Sequence, residues 1–215
     1  MIIKNNYYSL LTLVLTFLAL TDGALTAQSG IKNKLVNPNI ADSKSLQEVE
    51  FISKEFAGSL IKGKPYHSIE KLHKNLMSEF NSDQVKEILS QMCIQMNLNK
   101  VSEKSLLLIP NLGPKMAHEI EEYRPYVSFK QYRKEIGKYV SKKEVARLEQ
   151  YFFIPINLNT ATDEQILSIP GVGKKLLHEF KEYRPYKSIK QFSKEIGKYV
   201  NQNEIKRLER YVTLE

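Results

Sequence analysis

The feature that most constrains this chain is internal repetition at a fixed interval of sixty residues. The triplet Asn37-Pro38-Asn39 returns as Asn97-Leu98-Asn99 and again as Asn157-Leu158-Asn159. The pair Pro65-Tyr66 returns as Pro125-Tyr126 and Pro185-Tyr186, and no gap is needed to keep the register. Residues 97–155 and 157–215 agree at 30 of 59 positions, whereas 37–95 and 157–215 agree at 11 of 59. One small unit is therefore used three times, with the last two copies close and the first diverged.

Each copy reads as four short helices. In the third, Thr162 with Gln165 makes a capping-box pattern, and Pro170-Gly171-Val172-Gly173 then breaks the chain. A second helix is expected from Lys174 to about Tyr183, stopped by Pro185. Ser188 opens a third, whose apolar edge is Ile189, Phe192 and Ile196, and Gly197 is expected to end it. Asn201 with Glu204 opens the fourth, as Ser141 with Glu144 does in the second copy. Sustained strand alternation is absent, so the expected fold class is all-α, with helix pairs stacked in tandem.

The first residues differ from the rest. Lys4 supplies a positive start, the run from Tyr7 to Leu20 is uncharged, and small and polar residues lead to Ala27-Gln28. This order reads as a secretory signal peptide, because the apolar run falls short of the roughly 20 residues that span a bilayer. Retention as an anchor is the minority alternative. A single cysteine, Cys93, rules out an internal disulfide, and its apolar surroundings suit a buried small hydrophobe.

The formal net charge of +8 favours an acidic partner. It is unevenly spread. Residues 37–96 hold 7 basic and 8 acidic side chains, 97–156 hold 11 and 7, and 157–215 hold 11 and 8. The positive charge therefore sits in the two well-preserved copies. The glycines of Pro-Gly-Val-Gly are expected to supply positive φ and to admit a ligand close to the backbone. The turn delivers a helix N-terminus, whose free N–H groups and partial positive charge suit a phosphate oxygen. Lys174 and Lys175 stand at that terminus.

The segment from Ile156 to Phe180, INLNTATDEQILSIPGVGKKLLHEF, resembles the helix-hairpin-helix family, and within it the ComEA-like exported DNA-binding proteins. The lead-in Asn-Leu-Asn-Thr-Ala, the hairpin Ile-Pro-Gly-Val-Gly and the following lysines carry the likeness. It covers 97–215 directly, and 37–96 only through the repetition. The resemblance implies three tandem repeats of paired helix-hairpin-helix units after the signal peptide read over 1–27: a degenerate repeat over 28–96, and repeats over 97–156 and 157–215. It implies contact with DNA backbone through Gly171, Val172, Gly173, Lys174 and Lys175. At the second hairpin the equivalents are Asn111, Leu112, Gly113 and Lys115, with Pro114 removing one N–H and weakening the site. A monovalent cation held by hairpin carbonyls is part of the family pattern; no other cofactor or metal is expected.

In the first copy Glu50-Phe51-Ile52-Ser53 replaces the glycine-rich turn, and Met77 replaces the later glycine. This unit is expected to serve structure or to bind an envelope protein. Lys187, Lys190, Lys194 and Lys198 form a ridge that Lys130, Lys134 and Lys138 partly repeat. Lys138 and Lys198 also lie in an Ile-Gly-Lys-Tyr-Val corner that reads as a degenerate second hairpin, and both are candidate phosphate contacts. The recurrent tyrosines read as packing residues more than as stacking platforms. His118 and His178 lack a second ligand at metal-binding spacing, and no nucleophile–base pairing or phosphate loop points to an enzyme. The expected protein is thus a secreted or periplasmic binder of double-stranded DNA, without sequence preference and without a membrane span after signal removal. The alternatives are an envelope scaffold that keeps the hairpins as architecture, and an accessory to a nuclease or uptake complex.

Overall fold

A computed structural model of the chain describes residues 35–215. The proposed signal peptide and its cleavage point at Ala27-Gln28 lie outside the described residues. The described chain is mostly helical. Helices α1 (Ser43–Gln47), α2 (Lys54–Lys62), α3 (Ile69–Leu76) and α4 (Ser82–Gln91) fill the first copy. The second holds β1 (Met96–Asn97), α5 (Glu103–Leu106), α6 (Pro114–Glu122), α7 (Phe129–Ile136), α8 (Lys142–Glu149) and β2 (Phe152–Phe153). The third holds β3 (Ile156–Asn157), α9 (Asp163–Leu167), α10 (Lys174–Glu182), α11 (Ile189–Ile196), α12 (Gln202–Leu208), a 3-10 turn and β4 (Val212–Thr213). Among the described residues no helix is long and apolar enough to cross a membrane.

The local signals act as expected. Thr162 and Gln165 form a complete capping box at α9. Ser188 caps α11, and Ser141 and Asn201 cap α8 and α12 by accepting the N–H groups of Glu144 and Glu204. The strands were not expected. Each is two residues long and joins the lead-in of a copy to its own exit in parallel: Met96 with Phe152, and Ile156 with Val212. Val36 and Met92 make the equivalent single bridge in the first copy.

The two repeated sequence signatures are halves of one lock. Asn39, Asn99 and Asn159 each accept the N–H of Tyr66, Tyr126 or Tyr186 at 2.7 Å. The same amides donate to those tyrosines' carbonyls at 2.8, 2.9 and 3.0 Å. An amide side chain thus pairs with the backbone as a neighbouring strand would, and satisfies both backbone polar groups of a tyrosine that is buried in every copy.

The apolar core does not break between the first two copies. One continuous cluster runs from Leu35 to Phe152, and a second from Phe153 to Val212. Polar contacts cross the junctions. The Leu35 N–H donates to Gln150 Oε1 at 3.0 Å, Tyr151 Oη donates to the Leu89 carbonyl at 3.0 Å, and Arg210 Nη2 donates to the Gln95 carbonyl at 2.9 Å. Cys93 is buried at the first junction, as its surroundings predict.

Candidate functional site

Three turns of one geometry precede α2, α6 and α10. Each places one residue in the left-handed region: Phe51 at φ +66°, Asn111 at +63° and Gly171 at +81°. The residue after it is buried and closes the turn: Ile52, Leu112 and Val172 donate their N–H groups to Val49, Ile109 and Ile169 at 3.1, 3.1 and 3.0 Å. Leu112 and Val172, predicted as phosphate contacts, therefore have their amides engaged and their side chains in the core. They anchor the turn.

Gly173, expected to supply positive φ, needs correction, and Gly113 shares its geometry. They are N-caps in extended backbone, with φ of −105° and −87°, and a Cβ on either would meet nothing within 4 Å. Positive φ is required at position 171 alone in the third turn, not at 173. What these two glycines remove is a cap. No side chain accepts from the first N–H groups of α6 or α10. In the first copy Ser53 stands at the same place and its hydroxyl accepts the Phe56 N–H at 3.1 Å. The first copy therefore keeps the turn without glycines, but its helix terminus is already occupied.

Lys115, Lys174 and Lys175 are exposed at the uncapped termini, and among the described residues no ion pair holds any of them. Pro114 opens α6 and brings no N–H, so α6 offers fewer donors than α10. In the first copy Glu55 takes the position of Lys115 and Lys175.

Lys138 and Lys198 are placed differently from the sequence reading. Each is ion-paired with the glutamate three residues earlier, Glu135 or Glu195. Their corner is not a second hairpin of the first kind. Gly137 and Gly197 have φ of −63° and −61°, right-handed like Met77 at −65°, so neither glycine ends its helix by a left-handed turn. The next helices are capped by Ser141 and Asn201, which leaves no open terminus there. The ridge lysines 130, 134, 187, 190 and 194 are exposed.

Sequence reading missed Arg147 and Arg207. Arg147 Nη2 donates to the Pro110 carbonyl in the second turn at 2.9 Å, and Arg207 Nη2 lies 3.2 Å from where a Cβ on Gly171 would stand. Glu144 and Glu204 hold the two guanidinium groups at 2.7 and 2.5 Å, and Tyr151 and Tyr211 lie under them at 5.8 and 5.7 Å. The first copy has Gln84, Glu87 and Gln91 at these places, a contrast visible only when the copies are aligned position by position. A fixed positive charge beside the second and third turns argues against a monovalent cation there, so the residues at these two turns do not fit it.

His118 and His178 are exposed, and among the described residues no group of His, Cys, Asp and Glu is placed to hold a metal ion. No protein-family profile, curated protein or solved structure matches the chain.

Proposed function

We propose that this chain is an exported DNA-binding protein that uses tandem helix-hairpin-helix units to hold the phosphate backbone, without sequence preference and without catalysis. The observation that carries the reading is the uncapped N-terminus of α10. There Gly173 leaves the first amides unclaimed, and Lys174 and Lys175 add full charges at the positive end of the helix. The start of α6 repeats the arrangement with Pro114 and Lys115, and the capped, acidic start of α2 does not. Backbone amides and lysines recognise phosphate and carry no base code, so duplex DNA of any sequence is the partner.

Binding of a labelled duplex by the full chain, measured across salt concentrations, tests this. A few phosphates per repeat predict a slope of log K against log salt of about −2 to −5. Absence of binding at low salt overturns the reading.

A second reading, an envelope scaffold, draws on one contact. Ile40 of the first copy lies 3.3 Å from the position of a Cβ on Gly171, so one flank of the third turn meets protein rather than solvent. On that reading the first copy recruits an envelope protein and the hairpins serve as architecture.

A further inference from the structure

A corner of the first copy meets the third. Asn39 locks Tyr66, and the residue after Asn39, Ile40, lies 3.3 Å from the position of a Cβ on Gly171. The residue after Tyr66 is His67, which the same corner carries, exposed, to the third copy. Lys71 of α3, Lys206 of α12 and Arg210 of the 3-10 turn stand near enough for their charges to act on His67, and no carboxylate acts on it.

These cations lack a counter-charge. Among the described residues no ion pair holds Lys71, Lys206 or Arg210. The acidic residues next to them in sequence are turned to other partners: Glu70 accepts from Ser105, and Glu209 accepts from Ser193. Arg210 is half-buried. Its Nη2 donates to the Gln95 carbonyl at 2.9 Å, and its guanidinium lies 5.7 and 6.0 Å from the ring centres of Phe153 and Tyr211. Its Nη1 has no partner among the described residues. Stacking fixes the plane of the group and leaves its charge uncompensated, and a cation drawn out of water without an anion is costly. Burial accordingly holds the Arg210 guanidinium below its ordinary pKa, with no carboxylate to raise it.

The repeat does not require this charge. The second copy carries Val127, Gln131, Ala146 and Gln150 at the places of His67, Lys71, Lys206 and Arg210. Gln131 repeats the bond that Lys71 makes: Lys71 Nζ donates to the Pro65 carbonyl at 3.0 Å, and Gln131 Nε2 to the Pro125 carbonyl at 3.4 Å. Lys71 Nζ also donates to the Gly63 carbonyl at 3.3 Å, which leaves one of its three N–H groups for a ligand.

We propose that this junction binds a phosphate group, held by Lys71, Lys206 and Arg210 with His67 at its edge. Converging ammonium, guanidinium and imidazole donors suit an anion with several acceptor oxygens. The group is either free phosphate or one on a DNA backbone, so the site does not depend on the DNA-binding reading.

Inorganic phosphate titrated into the full chain, with amide NMR shifts followed, is the test. Saturable shifts are expected at His67, Lys206 and Arg210. The variant Lys71→Gln/Lys206→Ala/Arg210→Gln takes its residues from the second copy, and a melting curve checks that it folds. It should weaken phosphate binding at least about tenfold. Lys206→Ala alone changes one exposed side chain, so it serves if the triple variant unfolds, with an expected loss of about threefold. Absence of shifts at the junction in wild type, or wild-type affinity in the variants, overturns the proposal. Loss in Lys174→Glu/Lys175→Glu alone also overturns it, since that places the phosphate at the third hairpin. Duplex binding then identifies the source. A salt slope flattened by about one unit in the triple variant assigns the phosphate to DNA, and unchanged duplex binding assigns it to a free ion. A wild type that binds phosphate here but no duplex keeps the site and removes the DNA-binding reading.

Discussion

Gly171 and Gly173 stand two residues apart and do different work. Gly171 is held at φ +81° with Arg207 and Ile40 close to its missing Cβ. Gly171→Val should therefore cost about 1–2 kcal/mol from backbone strain, and more once the added side chain displaces those neighbours. Gly173 is extended and faces open space, so a side chain there is free of strain. Gly173→Ser copies Ser53 and should raise stability by a few tenths of a kcal/mol, because serine caps slightly better than glycine. On the proposed function it should also weaken DNA binding, since its hydroxyl claims an amide that the proposal assigns to phosphate. Melting curves and duplex affinity on the two variants check both halves. Phe51 marks the boundary of this argument: a bulky residue occupies the same left-handed turn, with Ile52 buried behind it.

At the scale of elements, the helices were legible because their signals are local. Thr162, Ser188 and Asn201 act within one turn of the chain, and the breaks at Gly171 and Pro185 are punctuation. The two-residue strands were not legible, because an alternation pattern needs more residues than they have. The left-handed turn before α2 was not legible for a related reason: glycine content signals what a turn finds easy, and packing decides what it adopts. Arg207 was hidden because its burial depends on contacts distant in sequence. It is 2% exposed and Glu204 is its ion-pair partner, whereas Arg147 is 27% exposed beside Glu144. Glu204→Gln leaves a buried guanidinium without its counter-charge and should cost about 3 kcal/mol. Glu144→Gln should cost about 1 kcal/mol, because water reaches Arg147. Equal losses in chemical denaturation would contradict this account of the third hairpin.

Across the whole molecule, the first copy is tied to the other two. It shares a core with the second, and His67 feels the positive charges of Arg210 and Lys206 in the third. Burial first, and then Arg210, Lys71 and Lys206, lower the His67 pKa below its ordinary 6.5. The protonated imidazole is thus disfavoured in the folded state. Its contribution is fully present above the unfolded pKa and is lost as pH falls through the lowered folded pKa. Melting temperature should fall more on acidification from about pH 7 to pH 5 in wild type than in His67→Gln.

The central claim is that open helix termini, not bulk charge, hold DNA. The most direct measurement compares Lys174→Glu/Lys175→Glu with Lys54→Glu in duplex binding across salt. Lys54 begins α2 behind the Ser53 cap, so the comparison sets an open terminus against a closed one. Strong weakening and a slope flattened by about one to two units are expected for the lysine pair, with almost no change for Lys54→Glu. Melting should stay within about 0.5 kcal/mol of wild type for all of them. Equal losses at the two sites, or unchanged binding at both, would contradict it.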